Sequence, residues 1–416
     1  MKKTYMPKLA LATILSIWSH SQMNAQTLPE FEPFTFTHIY TWNTAPYESY
    51  QYNIPAGQIA RFRLMSPNGF DRFATDGKLY PIIIFLHGSG EAGVYDAAPN
   101  NGVGEQDNEK QLVHGGQTHM TAVQNGTFPG FLLYPQIRRP NPALGIGPSW
   151  GYDNLKAVEY IIRKLVEGYK VDPDRIYIHG LSMGGEGAWR FISWRPDLFA
   201  AAHPMSAAGT AFWKNKSSPP GYWEGEARQR YKHIPLRQAQ GALDTGPLPL
   251  EGNGQVDAIR EIGGNIRYSY YPTLGHGTWN SEYAKPDFFS WFLSQRKNQI
   301  HVYNGQTSFC PGENFSVTLG LTPGFTMYEW AKNGVTFQTS TANEIIVTQA
   351  VSAGSGIGNY TVRFQRSNGV WTPWSAAVNI NSNRGLSPTP TISANGQSKN
   401  LPSLDGSPDI TLTGSD

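Results

Sequence analysis

A serine in Gly180-Leu181-Ser182-Met183-Gly184, a histidine in Leu274-Gly275-His276-Gly277 and an aspartate closing Gly241-Ala242-Leu243-Asp244 have the types and spacing for nucleophilic acyl transfer. The glycine-flanked serine follows an apolar run, Ile176 to His179, and precedes a helix predicted from about Gly184 to Trp194. Ser182 is therefore expected on a tight strand-to-helix turn, its hydroxyl exposed at the carboxyl end of a sheet, with glycines where a side chain would collide. Gly147-Pro148-Ser149-Trp150-Gly151 has the same spacing but no strand before it, and is set aside. In chains with such an elbow the base follows the last strand. Among ten histidines His276 stands there, just after the β-prone Tyr268 to Tyr271. His203 is read as a pocket or packing residue, and His301 lies past a change in composition. Asp244 is the acid that would orient His276 and stabilise its cation. Asp197 reads as a turn or cap residue and Asp257 as a helix residue, while the stretch before Asp244, Leu236 to Gln240, is polar and weakly patterned. Oxyanion donors are expected at the N–H of Met183 and at Ser89, or Gly90, in His87-Gly88-Ser89-Gly90.

These groups need a parallel sheet to hold them. Tyr80 to Leu86 is continuously apolar, as a central strand covered on both faces must be, and Phe131 to Tyr134 reads as its neighbour. Leu155, Val158, Ile161, Ile162 and Leu165 recur at helical spacing, with Asp153 or Asn154 as N-cap and Gly168 as terminator. Asp172-Pro173-Asp174 is expected to turn the chain into the next strand. A strand near Ala200 to Ser206, a helix around Val256 to Ile262 and a strand from Ile266 to Tyr271 continue the alternation, which predicts an α/β fold with helices on both faces. Beyond Gln299 the pattern changes to short β-prone runs, Phe315 to Leu319, Met327 to Trp330, Glu344 to Val347, Tyr360 to Phe364 and Ala376 to Ile380. Asn333-Gly334 is a hairpin signal. A small all-β sandwich over 300–382 is expected, with Trp330 in its core, followed by a remainder, 383–416, with at most two strands.

The chain has 416 residues, 15% charged and 13% aromatic, with 44 Gly and 30 Pro. Composition of this kind argues for folded units rather than disorder, and the length accommodates two. A formal charge of +2 without a basic run beyond the first eight residues leaves no electrostatic footprint for nucleic acid. Cys310 is the single cysteine, which excludes an internal disulfide and a cysteine-based zinc cluster. Lys2, Lys3 and Lys8 precede an apolar stretch from Leu9 to Trp18, and a small residue at Ala25 suits signal-peptidase cleavage. That stretch is too short to span a bilayer. The expectation is a removable signal at 1–25, a catalytic unit at 26–299 and a secreted bacterial protein without a membrane anchor. Loss of the three lysines takes the formal charge from +2 to −1.

Three segments, Tyr80 to Glu91 (YPIIIFLHGSGE), Arg175 to Trp189 (RIYIHGLSMGGEGAW) and Tyr271 to Trp279 (YPTLGHGTW), resemble the secreted serine hydrolases of the α/β-hydrolase superfamily described as predicted peptidases, polyhydroxybutyrate-depolymerase-like and feruloyl- or acetylxylan-esterase-like. The resemblance spans about residues 60 to 296. It implies an α/β-hydrolase fold with Ser182 as nucleophile, Asp244 as acid, His276 as base and Ser89 with Met183 as oxyanion donors. Relatives usually carry His-Gly before the acid and Val-Val-Pro-like residues after it, where this chain has Gln240-Gly241 and Gly246-Pro247-Leu248-Pro249. The segment from Cys310 to Ile380, with Cys310-Pro311-Gly312-Glu313 and Tyr328-Glu329-Trp330, is similar to Ig-like modules of secreted Bacteroidetes-type proteins. Those modules often have a second cysteine near Gly369-Val370-Trp371, and the tail from Pro388 to Thr413 is similar to the opening of another module.

Trp150, Trp213, Trp223 and Trp279 fall in loops expected near the carboxyl ends of strands, where indole faces would suit sugar rings or aromatic acyl groups. Trp371 and Trp374 could add an exposed carbohydrate platform. The expected activity is deacylation of plant-type polysaccharide or another ester substrate, with no cofactor. Polyester or peptide cleavage is the alternative within hydrolases, and a surface glycan-binding or adhesion protein the alternative outside them. Oligomeric state has no sequence signal.

Overall fold

The computed structural model describes residues 31–33, 40–54, 59–93, 108–137, 148–207, 225–349 and 356–383, and the backbone of 391–394 and 397–400. The expected signal at 1–25, the tryptophans at 213 and 223 and most of the tail lie outside the described residues.

Nine strands form one mixed sheet. β1 (Phe31–Pro33), β2 (Glu48–Asn53) and β3 (Ile59–Met65) are antiparallel, and β3 joins the parallel part through β5 (Phe131–Gln136). The order continues through β4 (Tyr80–Leu86), β6 (Val171–Leu181), β7 (Ala201–Met205), β8 (Leu236–Gly241) and β9 (Ile266–Tyr271), all parallel. Every residue of β4 is buried. Ile82, Ile84 and Leu86 face one apolar layer and Ile83 and Phe85 the other, as the two-residue strand period requires. The first layer is covered by α2 (Tyr152–Gly168), α3 (Met183–Trp194) and α5 (Pro249–Glu261), the second by α1 (Gly116–Gln124) and α7 (Phe288–Leu293). Two short helices, α4 (Gly225–Tyr231) and α6 (Trp279–Tyr283), complete this part.

Two local expectations change. α2 begins at Tyr152 with Gly151 as its N-cap, so neither Asp153 nor Asn154 caps it. Asp153 lies in the first turn, where its charge suits the helix dipole, and Asn154 donates to the Ser149 carbonyl at 2.8 Å. Asp172-Pro173-Asp174 is a bulge inside β6 instead of a turn before it. Tyr80 pairs with Val171 and Ile82 with Ile176, so β6 carries extra residues between the two paired positions.

Beyond residue 300 the described residues form β10 (His301–Val302), β11 (Phe315–Gly320), β12 (Met327–Lys332), β13 (Val335–Ser340), β14 (Glu344–Gln349), β15 (Gly358–Gln365) and β16 (Val378–Ile380). They make two antiparallel sheets, β10-β11-β14 and β13-β12-β15-β16, whose inner faces share one apolar cluster around Trp330, Leu319, Val362 and Phe364. Asn333 and Gly334 both have positive φ, 51° and 80°, which is the geometry of a tight hairpin between β12 and β13. Thr372 and Ser375 take part in the ladder with their hydroxyls, which accept the N–H groups of Phe364 and Val362 at 3.1 and 3.0 Å. Trp371 and Trp374 flank the Arg363 guanidinium at 5.0 and 4.8 Å, so each turns one ring face to a cation.

The C-terminal strands meet the large sheet through polar contacts. His233 Nε2 lies 2.9 Å from Glu344 Oε1, and Tyr303 donates its hydroxyl to the same carboxylate. Arg366 bonds Asp174, at the bulge of β6, at 2.6 Å, and Asn298 donates to the Pro373 carbonyl. No helix among the described residues is long and apolar enough to cross a membrane.

Candidate active site

The peptide at Ser182 turns sharply between β6 and α3, with φ 54° and ψ −127°. A non-glycine residue held there stores about 1–3 kcal/mol and persists only where its surroundings over-determine it. They do so here. The Ser182 N–H is given to the Met205 carbonyl at 2.9 Å, and the Ser182 carbonyl accepts from Glu186. A Cβ on Gly184 would sit 1.9 Å from the Leu86 carbonyl oxygen, and one on Gly180 would sit 2.4 Å from the Gly184 carbonyl oxygen. The two glycines let β4, β6 and α3 close around the serine.

Asp244 follows β8 and is buried. Its carboxylate accepts the His276 Nδ1–H at 2.9 Å, the Gly246 N–H at 3.0 Å and the Gln240 amide at 3.1 Å. The polar character of β8 has its reason here: Gln240 serves the acid, while Gln238 donates to the Gly252 carbonyl. Gly241 is also required by packing, since a Cβ there would meet the Gly275 carbonyl oxygen at 2.0 Å. Ala242 and Leu243 donate to the carbonyls of Tyr271 and Leu274, which fastens the acid loop to the base loop.

With Nδ1–H given to Asp244, His276 in its neutral form keeps Nε2 as a proton acceptor. The imidazole is 37% exposed and the aspartate side chain 1%. Ser206 fixes the histidine from behind: its Oγ donates to the His276 carbonyl at 2.5 Å and meets Thr278 Oγ1 at 2.8 Å. Ser206 is itself buried with φ 46°, and it follows Met205, which holds the Ser182 N–H. Among the described residues Ser182 Oγ makes no hydrogen bond. Ser182 and His276 are thus both anchored at the carboxyl end of β7, one through Met205 and the other through Ser206.

Ser89 opens a short helical turn after β4, and Met183 is the first residue of α3. Since Leu86 pairs with Gly180, both donors lie just beyond the ends of neighbouring strands. His87 secures the first loop. Its Nε2 accepts the Ile137 N–H at 3.2 Å, so Nδ1 carries the proton and donates to the Gly88 carbonyl at 2.6 Å. Burial pushes its pKa down to about 4, so the ring is neutral.

Trp150 departs from its expected role. It is 1% exposed and its indole N–H is donated to the His87 carbonyl at 3.0 Å, which makes it a strut under the loop and leaves no face for substrate. Trp279 is half-buried and stands edge-on to His276 at 5.8 Å. Its other neighbour, His114, was not read from the sequence; the ring lies 4.9 Å from Trp279, and its Nε2 is 3.6 Å from Glu91 beside the Ser89 turn. The role of Ser206 is set by partners 70 and 72 residues away and had no local signal, whereas Gln240 bonds Asp244 only four residues on and was likewise not read from the sequence. Of the rivals, His203 is buried 3.3 Å from Glu282, His301 bonds the Gly263 carbonyl, Asp197 pairs with Arg195 and Asp257 stays on α5. No three His, Cys, Asp or Glu side chains among the described residues converge as metal ligands.

No family model matches the chain. An uncharacterized secreted protein of Arthroderma benhamiae is 24% identical over 301 residues, which make up 64% of this chain and 28% of that protein. Among solved structures, a thermostable esterase is 28% identical with a TM-score of 0.46, over 60% of this chain and 63% of that one. The S-formylglutathione hydrolase FrmB of Staphylococcus aureus is 16% identical with a TM-score of 0.44, over 60% and 96% of the two chains. A CE1 ferulic acid esterase of Anaeromyces mucronatus is 16% identical with a TM-score of 0.41, over 65% and 97%. The chain thus spans little more than a quarter of the curated relative and under two thirds of the thermostable esterase.

Proposed function

We propose that the protein is a secreted serine carboxylic-ester hydrolase that works through Ser182, His276 and Asp244 and removes acetyl or feruloyl groups from plant-type polysaccharide. The observation that carries this reading is the Asp244–His276 pair, buried acid and exposed base, beside a serine at positive φ on a strand-to-helix elbow. Ser182 Oγ attacks the ester carbonyl while His276 Nε2 takes its proton. The Ser89 and Met183 N–H groups receive the developing oxyanion, and Asp244 stabilises the imidazolium. Collapse breaks the carbon–oxygen bond to the alcohol, which leaves with the proton from His276. Water then attacks the acyl-enzyme, giving a proton to His276, and the acyl–Oγ bond breaks as His276 returns that proton to Ser182 and the acid is released. Trp279 and His114 wall the site on the side of the base. The basic, apolar N-terminal segment and the secreted name of the Arthroderma relative support export, with the catalytic unit over 26–299 and an Ig-like sandwich over 300–382.

Hydrolysis of p-nitrophenyl acetate by the full chain, with Ser182→Ala as control, tests the assignment. The variant should lose on the order of 10^5-fold in kcat while unfolding at the same temperature. A screen on acetylated and feruloylated xylan, polyester and peptide substrates sets the acyl group. A wild-type protein inert toward all of them would sink the esterase and favour a glycan-binding role.

A further inference from the structure

Away from the triad, where the β6 bulge meets the C-terminal strands, a cleft of about 430 Å³ is lined by Arg195, Lys297 and Arg366, with Ile162, Leu198 and Phe325 forming an apolar wall. Cations outnumber acids there. Glu159 serves both Arg163 and Arg195; Asp172 serves both Arg175 and Arg296; Asp197 is held by Arg195, and Asp174 by Arg366 at 2.6 Å. Glu167, at the rim, is taken by Lys164. Lys297 has no carboxylate of its own. The residue is 6% exposed, and its backbone N–H is given to the Asp174 carbonyl, yet its ammonium has no hydrogen bond and no ion pair among the described residues. Asp174 and Asp197 act on it only through space, and burial lowers its pKa to about 8, which leaves it mostly cationic at neutral pH. The ammonium lines the cleft with no carboxylate in contact, and a bound anion would supply that partner.

We propose that this cleft binds a small oxyanion, a carboxylate, phosphate or sulfate group, on the Lys297 ammonium and the adjoining faces of Arg195 and Arg366. The site is independent of the ester chemistry. Arg195 and Lys297 come from the sheet-bearing part and Arg366 from the C-terminal strands, so an occupant would bridge the two and stabilise them together. The apolar wall and the volume suit an anion carried on a ring better than a bare ion, and the two sources can be separated by experiment.

Thermal unfolding of the full chain at pH 7 should be followed in rising inorganic phosphate, sulfate or galacturonate, with sodium chloride holding ionic strength constant. A saturable rise of about 3 °C at tenfold excess over Kd is expected. A larger response to galacturonate than to phosphate would identify a ring-borne carboxylate as the occupant, and the reverse a free inorganic anion. Lys297→Met, which removes the unpaired charge, should unfold no earlier than wild type in chloride and lose the saturable rise. Arg366→Gln should weaken apparent affinity about tenfold and serves as the decisive variant if Lys297→Met does not fold. A rise that follows ionic strength alone, or one of equal size in a folded Lys297→Met or Arg366→Gln protein, overturns the proposal.

Discussion

The molecule holds two carboxylate–imidazole pairs of the same length with opposite burial. At the carboxyl end of the sheet Asp244 and His276 meet at 2.9 Å, with the histidine side chain 37% exposed and the acid 1%. Where the C-terminal strands meet the sheet, Glu344 and His233 also meet at 2.9 Å, but there the histidine is 2% exposed and the acid 37%. In the first pair the carboxylate is saturated by three donors and the ring keeps a nitrogen for another molecule. In the second the ring nitrogen is shared among Glu344, Tyr303 and Asn343, all from the C-terminal part. Pairing at one distance therefore does not fix what such a pair does. Which partner faces outward decides whether the pair can move a proton or only join two parts of the chain.

Asp244→Asn is the most severe way to test the contrast. It should lower kcat by about 10^4-fold through the wrong imidazole tautomer while leaving the unfolding temperature within a few degrees, measured by steady-state ester hydrolysis and calorimetry. A loss of less than tenfold would remove Asp244 from the reaction.

Acid should act on both regions. Burial lowers His87, behind the Ser89 turn, and His301, at the junction, to about 4, and His119 in the second apolar layer to about 3. Their unfolded value lies near 6.5, so between these limits the unfolded chain binds more protons. The stability they contribute is complete above about pH 6.5 and is lost as pH falls toward 4 and 3. Glu344, drawn down to about 2 chiefly by its hydrogen bond with His233, adds stability above the ordinary carboxylate range that is lost as pH falls through that value. The unfolding temperature should drop by on the order of 10 °C from pH 7 to pH 4. A flat profile would mean that the buried imidazoles are not desolvated.

Glu344→Gln should cost about 1–2 kcal/mol, modest because the carboxylate is partly exposed, and leave kcat at 25 °C unchanged. Chemical denaturation and kinetics on one preparation would check both, and an altered kcat would show that the junction reaches the active site. The smallest effect is expected at Ser206. Ser206→Ala should reduce kcat about tenfold with little change in KM, because the base loop loses its anchor while the binding surface stays. An unchanged kcat would assign Ser206 to packing alone.

Most of the parallel sheet was legible because its strands are continuous apolar runs such as Tyr80 to Leu86 and Phe131 to Tyr134, and because the elbow carries glycines where a side chain would collide. The antiparallel edge, Phe31 to Met65, was not read from the sequence, although β2 alternates buried tyrosines with polar residues as a strand covered on one face does. β8 looked weak because its glutamines are buried on polar partners, Gln240 on Asp244 and Gln238 on the Gly252 carbonyl. Asp172-Pro173-Asp174 carries genuine turn chemistry, and only the pairing with Tyr80 shows it to be a bulge. Trp150 shows the same limit: its type suggested a sugar platform, and a hydrogen bond to a carbonyl 63 residues away assigned it to the interior.

The close approach of Gly241 to Gly275 bears on how this protein could be re-engineered. Segments 241–246 and 271–278 are laced by main-chain bonds, and at Gly241 there is no room even for a methyl group against the Gly275 carbonyl, so the two are best exchanged together. Chimeras that import a new base loop should therefore carry the matching acid loop as a single cassette. Libraries aimed at substrate preference are better directed at Trp279 and His114, where side chains rather than backbone set the surface.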